Sequence, residues 1–298
     1  MNRPLSLPSR IVLIIAAAYC FTLFVALHAR ATDAFYQFLW PIGPPTAAFV
    51  GAWFGALAIT LFFAALFPGW AEVRGFLVAA IVASVFLLVA PAVDDRFRED
   101  DFVLGIVWYA GLAGMLIVFP VVFLYQELLV PPRETAEPAG NAWLRRGMLA
   151  LGLAIWVLGL LTAVAPGIMQ PRWSWRCLFP GPCAEGVVLP ERDMIAVGAV
   201  MLGTGLAVGW AAVEGSLRAL TLVALFAFLA ATMSLFGLLR YGEYVDEGYW
   251  STIGIFAAQG LLIVVALVTL ALSARQVFRA DSRLVDEPPA AEDQTSAE

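Results

Sequence analysis

Residues 102–125 read FVLGIVWYAGLAGMLIVFPVVFLY, 24 positions without a charged side chain. At 1.5 Å per residue a helix of that length is about 36 Å long, enough to cross the roughly 30 Å hydrocarbon core of a bilayer. Backbone N–H and C=O groups in hydrocarbon must bond within their own segment, so the stretch reads as a membrane-spanning α-helix. Working outward from it, seven further apolar runs of similar length can be marked, at 11–28, 47–67, 76–93, 144–165, 194–213, 217–239 and 252–273. They are continuously apolar and rich in alanine and leucine. Strands of an outer-membrane barrel would be shorter and would alternate apolar with polar residues. The predicted fold class is therefore all-α, a polytopic membrane protein with about eight transmembrane helices.

The composition agrees. The chain is 62% hydrophobic and 13% charged, whereas about a quarter of the residues of a soluble domain carry charge. Its principal partner is the lipid bilayer. With a net charge of -6 and no basic stripe, nucleic-acid binding is excluded as a function class. All 17 basic residues are arginine, which removes lysine-based chemistry and fits the codon bias of a GC-rich bacterial genome.

The first run is preceded by Arg3 and Arg10 and followed by Ala29-Arg30-Ala31, a pattern shared with cleaved signal peptides. Its apolar stretch from Ile11 to Leu27 is longer than a usual signal core, so it is expected to remain as the first span. Starting that helix on the cytoplasmic side puts ten arginines inside, among them Arg74, Arg145 and Arg218, and seven outside, as the positive-inside rule favours. Both termini are then cytoplasmic, and the protein is expected in the cell (inner) membrane. Cys177 and Cys183 fall in one outer loop, where a disulfide would persist. Cys20 lies within a span and reads as a packing residue.

An internal repeat refines eight helices to two parallel-oriented four-helix units. At a displacement of 140, Gly69-Trp70-Ala71-Glu72-Val73-Arg74-Gly75-Phe76-Leu77 matches Gly209-Trp210-Ala211-Ala212-Val213-Glu214-Gly215-Ser216-Leu217 at six of nine positions. The motif is expected to form a tight cytoplasmic turn between the second and third helices of each unit. At a displacement of 146, Gly114-Met115-Leu116-Ile117-Val118 pairs with Gly260-Leu261-Leu262-Ile263-Val264, which implies a six-residue insertion in the last outer loop. An even number of spans per unit relates the units by an axis along the membrane normal. The expected organisation is residues 1–129 as the first unit, 130–142 as a cytoplasmic linker, 143–278 as the second unit and 279–298 as a disordered acidic tail.

Ionisable residues inside spans are costly and mark function where they occur; these spans are nearly empty of them. His28 is the only histidine and lies at the outer end of the first span, so paired-histidine haem ligation and H-E-x-x-H zinc chemistry are excluded. It reads as a passive interfacial residue. No metal, cofactor or catalytic residue is expected. Glu127 and Glu214, at the inner ends of helices, are explained by snorkelling to the interface. Gln259 is the most deeply placed strongly polar side chain, opposite Ala113 in the repeat, and reads either as an interhelical hydrogen bond or as a substrate contact. Small residues at Gly51, Gly55, Gly111, Gly114, Gly198, Gly203 and Gly205 point to close helix packing.

The remaining polar content lies outside. Each unit carries an acidic loop before its fourth helix, in which Asp100 and Asp101 correspond to Asp246 and Glu247. Such a pair suits a divalent cation or a cationic partner; the plainer reading is a solvated loop. The first outer loop of each unit is aromatic, with Trp40 and Pro41 in one and Trp173, Trp175 and Phe179 in the other. These residues read as an interfacial aromatic belt or as a platform for a ligand. The order Trp173, Cys177, Cys183, Arg192 resembles the first loop of claudin-like tetraspan proteins, in the second half only and without their Gly-Leu-Trp core. No function follows from it.

Spans that offer packing surface and little chemistry lead to the expectation of a non-enzymatic accessory, assembly or partner-binding component, with a membrane-protein partner or a second copy of the chain. The alternative is a transporter or channel for an apolar or amphiphilic molecule, with a midplane cavity near Gln259, Trp108 and Tyr109.

Overall fold

The computed structural model describes residues 3–33, 42–66, 69–93, 102–132, 141–173, 189–244 and 250–286. Its long helices are α1 (Leu7–Phe24, continued by a π-helical turn Val25–Ala29), α2 (Pro44–Leu66), α3 (Ala71–Val89), α4 (Phe102–Leu129), α5 (Ala142–Val164), α6 (Glu191–Glu214), α7 (Leu217–Arg240) and α8 (Trp250–Asp286). All eight are long and apolar enough to cross a membrane. The chain is a multi-pass helical membrane protein, as the apolar runs require.

Local sequence sets the helix ends. Ser6 accepts a hydrogen bond from the backbone of Ser9 at the start of α1, and Ser216 does the same for Ala219 at the start of α7, each satisfying a donor the helix cannot. Between α6 and α7 the chain turns at Gly215, whose φ of 73° is a left-handed conformation that glycine adopts without steric cost. The repeated glycine-tryptophan motif does not sit alike in the two halves. Gly69 and Trp70 precede α3, whereas Gly209 and Trp210 lie within the last turns of α6, so the expected pair of equivalent turns is absent. Helix α8 also runs past the expected start of the tail, to Asp286. Good helix formers such as Ala274, Gln276, Arg279 and Ala280 sustain it.

The helices form an inner and an outer set. Within the spans of α2 and α6, 78% of residues are buried, against 28% for α4 and α5 and 17% for α8. Helix α2 packs on α1 and α7, α6 on α5 and α3, α4 on α3, and α8 on α7. The four helices α2, α3, α6 and α7 thus form the centre, and α1, α4, α5 and α8 lie outside them. The buried faces of α4 and α8 follow one pattern. Gly105 and Thr252, Met115 and Leu262, Phe119 and Ala266, Val122 and Thr269, and Gln126 and Ser273 are all buried, each pair 147 positions apart. The same displacement relates Val50-Gly51-Ala52 in α2 to Val197-Gly198-Ala199 in α6.

Close approach explains most of the small residues. A Cβ added to Gly51 would sit 2.6 Å from the backbone nitrogen of His28, and one added to Gly152 would sit 2.6 Å from that of Gly209. Helices α1 with α2, and α5 with α6, therefore touch backbone to backbone, which maximises dispersion contact where no hydrophobic effect operates between helices. Gly114 is the exception, with nothing near a Cβ.

One end of the bundle is tied by ion pairs. Arg3 Nε lies 3.4 Å from Glu127 Oε2, Arg74 Nη1 lies 3.2 Å from Glu127 Oε1, and Arg74 Nε donates to Glu214 Oε2 at 2.9 Å. Trp70 Nε1 donates to Glu127 at 2.8 Å. Arg3 also donates to the Val130 carbonyl, Arg10 Nη1 to that of Ala65 at 2.9 Å and Arg145 Nε to that of Ala212 at 3.1 Å, supplying partners for carbonyls at helix C-termini. Glu127 and Glu214 are thus structural ties between helices. Snorkelling alone does not describe them.

Candidate functional site

Of the residues singled out in the sequence, Asp100, Asp101, Asp246, Glu247, Trp40, Pro41, Trp175, Phe179, Cys177 and Cys183 lie outside the described residues. No cluster of metal-ligating side chains occurs among the described residues. The others separate into two places, one filled and one open.

Trp108 belongs to the filled place. It is 1% exposed, meets the ring of Phe54 edge-on at 5.9 Å, and its Nε1 donates to the Leu87 carbonyl at 3.4 Å. Beside it the Tyr19 ring of α1 lies against Gly111 of α4, where a Cβ could not fit, and the Tyr19 hydroxyl donates to the Trp108 carbonyl at 3.3 Å. The α1–α4 seam is closed by these two aromatic side chains. Lower in the same seam, Gln126 Nε2 donates to Ser6 Oγ at 2.8 Å and Ser9 Oγ at 2.7 Å. Gln126 is more deeply buried than Gln259, because α1 covers it. Tyr109, next in the chain, is half-buried and is not among the described residues lining the two cavities that Gln259 lines.

Two other outer helices, α5 and α8, barely touch. Between them, with α2, α6 and α7 as the back wall, lie two adjoining cavities of about 150 and 420 Å³. Both are lined by Phe49, Leu158, Met201, Ala258 and Gln259. The smaller continues inward past Trp53 and Thr204, and the larger reaches outward to Met169 and Trp173. The larger one alone falls in the ~300–1,000 Å³ range of small-molecule sites. Leu158, Gly254, Ala258 and Leu261 at the mouth are exposed on the outside of the bundle, so the pocket opens sideways between α5 and α8.

Depth follows from helix geometry. Gln259 lies seven residues, about 10 Å, along the helix from Thr252, the start of the last candidate span, and Trp53 lies nine residues, about 13 Å, into α2. The walls are almost wholly apolar, yet two buried polar atoms on them have no hydrogen-bond partner: Trp53 Nε1 and Gln259 Oε1. Each costs on the order of 1–3 kcal/mol if left unpaired. Trp53 is 4% exposed and its ring is fixed by edge-on contacts with Phe54 at 5.1 Å and Phe226 at 6.5 Å. Thr204, on the same wall, donates to the Val200 carbonyl at 2.8 Å.

Gln259 was therefore legible in the sequence as a polar residue in a span, and Trp173 as an aromatic of the first outer loop; the structure brings both to one pocket. Trp53 and Thr204 were missed, because a tryptophan or threonine in an apolar run carries no periodic signal. His28 also differs from its reading. It is 8% exposed, stacked on Phe24 at 5.1 Å, with Nδ1 2.8 Å from the Ala48 carbonyl. The π-helical turn Val25–Ala29 carries it against α2, so at the end of the first span it is a packed residue.

No family model, no curated protein and no solved structure matches this chain. The geometry alone carries the functional reading.

Proposed function

We propose that this protein is a membrane-embedded binding component that holds an amphiphilic small molecule in the pocket between α5 and α8. The observation that carries the reading is the unpartnered Trp53 Nε1, buried on the wall of a laterally open, otherwise apolar pocket. A wholly apolar cavity can stay empty, whereas an unpaired polar atom on a cavity wall calls for a partner there. A groove of that kind exists between α1 and α2, lined by residues such as Ile14, Phe21, Ile59 and Phe62, and it supports no such reading.

Binding is favoured over conduction. The inner end of the bundle is tied by Arg3, Glu127, Arg74 and Glu214, and the central helices pack tightly at Gly203, Ala79 and Ala83. The wider role of an accessory component is compatible with holding a ligand.

We further propose that the bundle is two four-helix units in the same orientation, related at a displacement of 147. The matched buried faces of α4 and α8, the shared Val-Gly-Ala and the contact order of the helices support it. At that displacement Gln259 corresponds to Leu112, Ala258 to Gly111 and Ile255 to Trp108. The smaller Ile255 thus stands where a tryptophan fills the first seam, which accounts for one open pocket in a pseudo-symmetric bundle. Cytoplasmic termini, the bacterial cell membrane and an outer Cys177–Cys183 disulfide remain part of this proposal, on the arginine distribution and the spacing.

Native mass spectrometry of the protein released from membranes in mild detergent tests the binding reading. Wild type is expected to carry a bound amphiphile, and Ala258→Phe, which fills the mouth, to lose it. A wild-type protein that never carries one, or a variant that keeps it, would refute the proposal.

A further inference from the structure

The chemistry of the pocket narrows its ligand, on the assumption that the binding reading above holds. Trp53 Nε1 can only donate a hydrogen bond. Gln259 presents an amide oxygen that can only accept. A single group that satisfies both must accept from one and donate to the other. A hydroxyl does so, since it is donor and acceptor at once. A ketone or quinone oxygen accepts only and would leave Gln259 Oε1 unpaired.

Charge decides the rest. Among the described residues lining either cavity there is no arginine, histidine, aspartate or glutamate. A carboxylate or phosphate placed some 10 Å into hydrocarbon without a cation would be far too costly. The head is therefore neutral.

The mouth fixes the direction of approach. Its rim residues Leu158, Ala258 and Leu261 face outward on helices long enough to span the bilayer, so a chain leaving the pocket passes into lipid. Trp173 and Met169 close the side nearest the end of the spans.

We infer that the cleft between α5 and α8 takes an uncharged, hydroxyl-bearing lipid from the leaflet nearest Trp173, with the hydroxyl between Trp53 and Gln259 and the chain leaving past Leu158 and Ala258. Long-chain alcohols, monoacylglycerols and polyprenols belong to this class.

The test uses photoreactive diazirine probes of one chain length in nanodiscs containing the full-length protein, read out by mass-spectrometric mapping of the labelled residues. The probes are a long-chain alcohol, its methyl ether and the matching fatty acid at a pH where it is ionised. The alcohol is expected to label α5 and α8 around the mouth at least tenfold more than either analogue. Trp53→Phe and Gln259→Leu are each expected to lower alcohol labelling about fivefold, and Gln259→Leu to leave the weak ether labelling unchanged, because an ether oxygen pairs only with Trp53. Should Trp53→Phe fail to fold, Gln259→Leu on the outermost helix carries the same comparison. Equal labelling by alcohol and ether would overturn the hydroxyl assignment while leaving the binding reading in place. Preference for the ionised acid would overturn the charge argument. If no probe labels the mouth while all label the lipid-facing surface elsewhere, the binding reading itself falls.

Discussion

Replacing Gly152 by alanine should loosen the α5–α6 pair, the most extensive helix contact in the molecule. The new methyl carbon would stand 2.6 Å from the Gly209 nitrogen and 2.9 Å from the Gly205 carbonyl oxygen. Ordinary contact needs about 3.5 Å, so α5 must retreat by nearly 1 Å. A gap of that size forfeits roughly a quarter to a half of each 0.1–0.2 kcal/mol atom pair, and with about 50 pairs the loss is on the order of 2–3 kcal/mol. Exchanging glycine for alanine in a helix returns about 1 kcal/mol. Gly114→Ala is the matched control, since no atom lies within 4 Å of its Cβ and only the gain applies. The two variants should therefore differ by about 2–3 kcal/mol, or roughly 5–10 °C in the midpoint of thermal unfolding in mild detergent. Gly205→Ala, whose Cβ meets the Trp156 backbone, should behave like Gly152→Ala. If Gly152→Ala proves as stable as Gly114→Ala, backbone contact between α5 and α6 is not what holds them.

Three further expectations follow from other contacts. A double-mutant cycle with Arg74→Met and Glu214→Met should return a coupling of about 1 kcal/mol, at the upper end for exposed pairs because these side chains are only 30% and 16% exposed; a coupling near zero in low salt would show the pair to be incidental. His28→Phe should keep the stack on Phe24 but lose the bond to the Ala48 carbonyl, at a cost of about 1 kcal/mol in unfolding measurements; an unchanged midpoint would count against that bond. Alkylation should find no reactive thiol in the native protein, one after denaturation and three after reduction, because Cys20 is fully buried and the other two are expected to be joined. Two labelled cysteines without reductant and without denaturant would refute the pairing.

The helices were legible one at a time. Membrane hydrocarbon admits only segments that satisfy their own backbone, so a run such as residues 102–125 declares its conformation without reference to any neighbour. Gln259 was visible for a related reason, as a polar side chain in such a run is conspicuous against its surroundings. Pairing between helices was not legible. The glycine-tryptophan motif aligned well as letters, yet one copy lies before a helix and the other inside one, whereas the positions that share a buried face match poorly in residue type. Packing selects size and closeness, so side chains as different as Phe119 and Ala266 are both buried.

Sequence by itself therefore determined the solvent of this protein, its helical class and the number of its spans, because each depends on the local ratio of apolar to polar groups. Only the tertiary structure decided which helices lie inside, that Glu127 and Glu214 tie helices together, and that the α1–α4 seam is filled by Tyr19 and Trp108 while the α5–α8 seam is open. Those outcomes turn on side-chain volumes meeting across distances of a few ångströms between residues far apart in the chain, and no local pattern encodes that meeting.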